Sequence, residues 1–221
     1  MLLDRRKVKF WQKIVFGFMA VLMAGFLIFG YSGVLNGCTF FNSAKSAADQ
    51  LNQTITQYID KVAADPANAD AWTRLGDNYV LLANQQTQGS AAQKADWQKA
   101  VVAYQKADKV LAKKKKTADV KAQRLNVLKQ QVSTYLFLQD YQSATTAYGE
   151  ITSLTPKDAQ NYFDMASVAI NAGDTNTALL AFTKFLELDP TSPDAAQVKA
   201  WIKQNTPKST ATPTPSPSPT K

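Results

Sequence analysis

Residues 140–156, DYQSATTAYGEITSLTP, and residues 174–190, DTNTALLAFTKFLELDP, share one spacing of four residue types. In each segment an aspartate is followed by an alanine, then by an aromatic residue, and finally by a proline. The second segment begins 34 residues after the first. A stride of this length indicates stacked helix pairs, because one pair cannot bury its apolar face alone. Chains built in this way usually bind other proteins.

A related unit precedes these two segments. Its signature is W-x-x-L-G-x-x-Y followed by a small residue, an aromatic residue and a second small residue, at Trp72, Leu75, Gly76, Tyr79, Ala100, Tyr104 and Ala107. This pattern resembles the tetratricopeptide repeat, and the resemblance covers about residues 66–192. It implies an all-α fold, a solenoid of about three antiparallel helix pairs with a flanking helix on each side.

The repeated residues have a packing logic of their own. Small residues such as Gly76 stand where two helices approach closely, and aromatic residues such as Tyr104 fill the space between neighbouring hairpins. Gly173 followed by Asp174 predicts a hairpin turn, in which the glycine ends one helix and the aspartate caps the next. Asp140 is predicted to cap the corresponding helix of the middle unit.

The first unit departs from the strict period. About twelve extra residues fall between Tyr79 and Asp96, including the polar run 84–93, and ten more fall around residues 113–122. The extra residues either lengthen the helices or form loops on one face of the solenoid. The lysine run 113–116 is interpreted as a solvated turn or as a patch for anionic lipid or wall polymer.

The N-terminal region predicts a membrane anchor. Residues 14–35 contain no charged side chain, and 22 helical residues reach roughly 33 Å, enough to cross a hydrocarbon core. Five basic residues lie in the segment 1–13, which is therefore predicted to be cytoplasmic. The expected localisation is the cell membrane, with a single pass and with the repeat domain outside the cytoplasm.

Cys38 supports an alternative reading of the same region. It is the sole cysteine, and Leu35, Asn36 and Gly37 before it resemble the lipobox of bacterial lipoproteins, although Asn36 departs from that pattern. Under this reading the peptide is cut before Cys38 and the cysteine is lipidated. The apolar run is longer than the roughly 7 to 15 residues of an ordinary signal peptide, which favours an uncleaved anchor.

The remaining boundaries follow from composition. Residues 36–42 are predicted to be a linker, residues 43–205 the repeat domain, and residues 206–221 a disordered Ser/Thr/Pro-rich tail. Asn42 or Ser43 is predicted to cap the first helix, and Ser192 the last one. The alternative function is a structural link between membrane and cell wall through the tail.

The composition argues against catalysis and nucleic-acid binding. The chain has no histidine, one cysteine, no phosphate-cradling glycine loop and no nucleophile elbow, so we predict neither an enzyme nor a metal or cofactor site. Residues 43–205 contribute only +2 of the formal charge of +8. A nucleic-acid-binding domain normally concentrates basic charge on its fold, and none is expected here.

The family resemblance also locates a binding surface. Proteins that resemble tetratricopeptide arrays bind a peptide or a helix in the groove lined by the first helix of each pair. The matching positions here are Thr73, Asp77, Lys129, Ser133, Phe163 and Ser167. They do not reproduce the Lys, Asn and Arg set of the family's two-carboxylate clamp. We therefore predict a bacterial, membrane-anchored scaffold for a protein or peptide of unknown identity, in envelope assembly or secretion.

Overall fold

The computed structural model describes residues 39–207, with side chains from residue 48 onward. The predicted span 14–35, the basic segment 1–13, Cys38 and residues 208–221 of the tail lie outside this range. Within the range, no helix is both long and apolar enough to cross a membrane. The chain divides into two compact units, and the boundary falls between Asn52 and Gln53.

Eight helices and no strand make up the described residues. They are α1 (Thr39–Ala64), α2 (Ala69–Gln85), α3 (Ala91–Ala112), α4 (Ala118–Phe137), α5 (Tyr141–Leu154), α6 (Ala159–Asn171), α7 (Thr175–Leu188) and α8 (Ala195–Asn205). Helices α2 and α3, α4 and α5, and α6 and α7 form three successive pairs, and α8 packs on α7. The all-α helical-pair prediction is confirmed.

Side-chain caps explain where most of these helices begin. Asp140 accepts a hydrogen bond from the backbone amide of Ser143, and Asp174 accepts one from that of Thr177. Both predicted caps are confirmed. The same arrangement starts four other helices, at Asn68, Ser90, Thr117 and Asp158. Each cap satisfies one of the amide groups that a first helical turn leaves without a partner.

The turn between α4 and α5 has the same conformation as the turn between α6 and α7, 34 residues later. Gly173 adopts a φ of 75°, and Gln139, at the matching position, adopts a φ of 58°. The following amide of Asp174 donates to the carbonyl of Ala169 at 2.9 Å, and the amide of Asp140 donates to that of Tyr135 at 2.9 Å. This six-to-one hydrogen bond around a left-handed residue is the Schellman arrangement.

The ends of two helices differ from the sequence prediction. Helix α1 is described from Thr39 onward, and residues 39–42 of the predicted linker are helical, so Asn42 and Ser43 lie within a helix and do not start it. Helix α8 begins after Asp194, whose side chain makes no capping bond. Ser192 instead accepts a hydrogen bond from the amide of Asp194 in the preceding turn. Helix α1 ends at Ala64, directly before Asp65 and Pro66.

The extra residues of the first unit lengthen its helices. Helices α2 and α3 have 17 and 22 residues, whereas α6 and α7 have 13 and 14. Asp96 stands four residues before Ala100 and eight before Tyr104, as the caps Asp140 and Asp174 stand before their alanine and aromatic residues. It nevertheless lies inside α3 and is buried. Of the two alternatives left open by the sequence, longer helices account for most of the insertion.

Each hydrophobic cluster joins a helix pair to the next element of the chain. The first cluster includes Tyr104 and Leu111 of α3 together with Val127 of α4. The second combines residues of α4 and α5 with Val101 of α3 and Val168 of α6. This sharing makes the stack continuous.

The third cluster closes the stack at its C-terminal end. It contains Phe182 and Phe185 of α7 and the buried Val198 of α8, with Trp201 and Ile202 packed against it. Helix α8 thus covers apolar surface that a terminal helix pair would otherwise expose.

Candidate functional site

The predicted binding surface is the groove lined by the first helix in each pair, and the predicted residues on α4 are the most exposed. Lys129 and Ser133 lie four residues apart, so they project from the same side of α4, and both are exposed. Leu128 and Val132, which directly precede these two residues and therefore lie about a quarter-turn away around the helix, are buried. These two predicted residues are therefore accessible to a partner.

On α2, the two predicted residues are half-buried and already hydrogen-bonded. The Thr73 hydroxyl donates to the carbonyl of Ala69 at 2.9 Å. Asp77 Oδ1 accepts a hydrogen bond of 2.8 Å from the Tyr104 hydroxyl. Burial and the negative charge of Asp77 raise the pKa of the Tyr104 phenol, so this hydroxyl remains a donor. Asp77 is consequently held in one orientation at the edge of the face.

On α6, the structure draws one predicted residue toward the core. The ring of Phe163 lies 5.6 Å from that of Phe182 and 5.2 Å from that of Phe185, centroid to centroid. Ser167 Oγ donates to the carbonyl of Phe163 at 2.9 Å. Phe163 is half-buried, so its main contacts are within the third hairpin. The role of these residues in binding stays a prediction.

Each predicted residue pair is followed on the same helix face by an exposed apolar side chain, which the sequence analysis missed. Leu81 lies four residues after Asp77, Phe137 four after Ser133, and Ile170 three after Ser167. Their exposed fractions are 53%, 50% and 39%. Extending the helical spacing by one turn would have located them, because residues three or four apart share a face.

Phe137 is fixed in place by a neighbour. Its ring stacks on that of Trp97 of α3, with centroids 5.2 Å apart and planes inclined by 13°. Trp97 is itself buried, and its indole Nε1 has no hydrogen-bond partner among the described residues. One face of Phe137 is therefore packed while the ring keeps half of its surface open to a ligand.

One of the three helix pairs matches a known family model. The model of the tetratricopeptide repeat matches residues 159–192. That segment begins with α6 and ends just after α7, so it covers one complete helix pair. The chain carries a tetratricopeptide repeat. Arrays of such repeats present extended surfaces to other proteins, so a protein-interaction scaffold is the function class that the fold supports.

Three solved structures are similar to this chain at low sequence identity. The crystal structure of MamA is 16% identical, with 73% of this chain and 85% of that chain covered and a TM-score of 0.45. YrrB, a TPR protein with an unusual peptide-binding site, is 19% identical over 75% and 76%, with a TM-score of 0.45. TTC0263, a thermophilic TPR protein of Thermus thermophilus, is 16% identical over 71% and 73%, with a TM-score of 0.42. No curated protein sequence matches the chain.

A charged network ties the first two helix pairs together. Arg124 of α4 donates from Nε to Asp108 Oδ1 of α3 at 2.7 Å and from Nη2 to Glu150 Oε2 of α5 at 2.8 Å. The hydrogen bond with Asp108 is the main cause that raises the pKa of Arg124. Because Arg124 and Asp108 are both largely buried, this network fixes three helices relative to one another.

The polar side chains around this network are paired with one another. A cavity of about 310 Å³ adjoins it, and there Gln105 Nε2 donates to the Tyr135 hydroxyl at 2.8 Å. Among residues 39–207, no three His, Cys, Asp or Glu side chains come together as metal ligands. The buried Asp96 and Asp108 are each paired with a basic side chain, Lys99 and Arg124.

Proposed function

We propose that the chain is a membrane-anchored scaffold that holds a protein or peptide partner along the face of α2, α4 and α6 that carries the predicted residues. The observation that carries the proposal is the series of exposed apolar side chains at Leu81, Phe137 and Ile170, one on each first helix. Exposed apolar surface framed by polar residues is typical of protein-binding sites. The apolar side chains anchor the partner through burial.

The polar residues of the face give the interaction its direction. Asp77 on α2 is acidic and oriented by Tyr104, whereas Lys129 on α4 is basic and free to move. A partner segment with a basic residue near α2 and an acidic residue near α4 matches this order. Complementary charges of this kind select the partner and its orientation more than they add affinity.

The cellular setting is the second part of the proposal. Residues 14–35 anchor the chain, residues 1–13 stay in the cytoplasm, and the repeats act outside it, in envelope assembly or protein secretion. The uncharged run and the basic residues before it support this topology. The residues TPTPSPSPT in the tail support the alternative of a link between membrane and cell wall, and lipidation of Cys38 is an alternative mode of anchoring.

Position-resolved crosslinking in intact cells tests the scaffold. A photoreactive amino acid replaces Lys129 or Ser133 on the proposed face, and in matched controls it replaces Lys106 or Val102, which are exposed on α3. We expect one discrete adduct from the α4 positions and none from the α3 positions. Equal adducts from both helices, or no adduct from α4, would contradict the proposal.

Two further measurements test the setting. A reporter fused after Lys221 should be active only outside the cytoplasm, and cytoplasmic activity would overturn the topology. The intact mass of the mature protein distinguishes an uncleaved anchor from a chain cut and lipidated at Cys38. Deletion of residues 206–221 should leave wall association unchanged if the chain is a scaffold, and loss of that association would favour the structural link.

A further inference from the structure

A second cavity lies where the first helix pair, α2–α3, meets the second, α4–α5. It has a volume of about 500 Å³ and is bounded by the end of α3, the start of α4 and the end of α5. Its apolar wall includes Leu111, Val120 and Leu154, and its basic side chains include Lys114, Lys116, Lys121 and Arg124. The cavity is therefore amphipathic, with cations beside an apolar surface.

The basic charge of the folded region is concentrated here. Residues 106–124 carry eight basic and two acidic side chains, which is a net charge of +6. The rest of residues 43–205 carries ten basic and 14 acidic side chains, which is −4. The small overall charge of this region thus conceals a local cationic site on an otherwise acidic surface. Such a distribution raises the local concentration of anions.

The cations of this cavity differ in availability. Arg124 is neutralised by Asp108 and Glu150, so it serves mainly as a fixed wall. Lys114, Lys116 and Lys121 are exposed and make no ion pair within residues 48–207. Their ammonium groups are therefore free to bind an external anion.

The backbone adds to this charge. Thr117, the N-cap of α4, and Ala118, the first residue of that helix, both line the cavity. The positive end of a helix dipole and its unpaired amide groups favour anions, phosphate groups in particular. We propose that this cavity binds a phosphate ester, supplied by an anionic lipid headgroup or by a free phosphate compound. The lysines and the α4 terminus hold the phosphate, and the apolar wall takes the adjoining carbon chain.

The lining disfavours nucleic acid as the ligand. No aromatic side chain is among the residues that line the cavity. Single-stranded nucleic acids are normally held by bases stacked on aromatic rings beside a basic groove. A phosphate with a short aliphatic body requires no stacking surface and fits the lining better.

The lysine run offers a matched pair of variants. Lys114 and Lys116 line the cavity, whereas Lys113 and Lys115 do not, although all four are exposed in the same turn. The doubles K114Q/K116Q and K113Q/K115Q therefore remove the same charge from the same segment. The full chain, purified in a neutral detergent, is titrated calorimetrically with inorganic phosphate, glycerol 3-phosphate, short-chain phosphatidylglycerol and short-chain phosphatidylcholine. Thermal unfolding verifies that both variants fold.

We expect the anionic probes to bind and phosphatidylcholine not to bind. K114Q/K116Q should weaken binding by at least about tenfold and K113Q/K115Q by less than about twofold. Tighter binding of phosphatidylglycerol than of glycerol 3-phosphate identifies a lipid headgroup as the source, and equal binding identifies a free phosphate ester. The proposal is overturned if the two double variants lose equal affinity, or if no anionic probe binds. It is also overturned if a single-stranded oligonucleotide, titrated in the same way, binds more tightly than every phosphate probe.

Discussion

The ring of Tyr104 lies directly against Gly76. A Cβ atom built on Gly76 would stand 2.6 Å from Tyr104 Cε1, closer than any ordinary contact. From the same position, the Tyr104 hydroxyl reaches Asp77, the next residue of α2. One side chain, Tyr104, therefore sets both the packing inside the first helix pair and the orientation of Asp77 on the proposed binding face.

Replacement of Gly76 by alanine should destabilise the protein. Tyr104 is almost fully buried, so it cannot move away from the added methyl group, and such overpacking costs about 1–3 kcal/mol. Gly149 in α5 is the control, because its Cβ would meet only Met165 Cε, at 3.9 Å. Gly149→Ala should gain up to about 1 kcal/mol from helix propensity. Denaturant unfolding measures both, and equal effects at the two sites would refute the close contact.

Replacement of Gln139 by glycine should stabilise the protein. It occupies the left-handed position that Gly173 occupies in the next unit, and a residue with a Cβ pays about 1 kcal/mol there. Gln139→Gly should therefore raise the unfolding free energy by up to about 1 kcal/mol. Gly173→Ala should lower it by a similar amount, because its Cβ would contact nothing and only the backbone would be strained. Thermal unfolding in which both variants shift stability in the same direction would contradict the equivalence of the two turns.

Much of this fold could be predicted because the repeated residues act locally. Asp140 and Asp174 cap the helices that follow them, and Gly76 marks a close approach, whatever else the chain does. The fate of the inserted residues could not be predicted, since the polar run 84–93 suits a turn or an exposed helix face equally well. In the structure, residues 84–93 include the end of α2, the turn 86–90 and the start of α3.

The exposure of side chains on the proposed binding face could be predicted only in part, because exposure depends on neighbouring helices. Phe163 has the spacing of a surface residue, yet the rings of α7 draw it inward. Phe137 has the character of a core residue, yet it ends α4 with half of its surface open. The alternation of the lysine run, with Lys114 in the cavity lining and Lys113 outside it, likewise depends on the turn that follows α3.

Arg124 should contribute far more to stability than an exposed arginine. Arg124→Ala leaves the largely buried carboxylate of Asp108 without its cation, and we expect a loss of about 2 kcal/mol or more. Arg74, whose ion pair with Asp70 is exposed at 3.6 Å, is the control. Arg74→Ala should change the unfolding free energy by less than about 0.5 kcal/mol. Similar losses for the two variants would show that the network does not tie α3, α4 and α5 together.

The cap at Asp174 predicts a pH dependence. Hydrogen bonds from Thr177 lower the pKa of the Asp174 carboxyl below its usual range. The folded protein therefore favours the ionised form, and its stabilising effect is present above the unfolded-state pKa and lost as the pH falls through the folded-state pKa. Asp174→Asn keeps a capping oxygen but does not titrate. The stability difference between wild type and this variant should shrink on acidification, and a difference independent of pH would contradict the ionised cap.

The most direct test of the scaffold separates binding from folding in the double variant Leu81→Ser/Ile170→Ser. Both side chains are exposed, so their removal should cost little stability, whereas a partner anchored on them should be lost. The measurement is the yield of the adduct crosslinked from Ser133 in intact cells, with thermal unfolding of the same variant as control. We predict a nearly unchanged melting temperature and an adduct reduced by at least about tenfold. An undiminished adduct in a normally folded variant would contradict the proposed binding face.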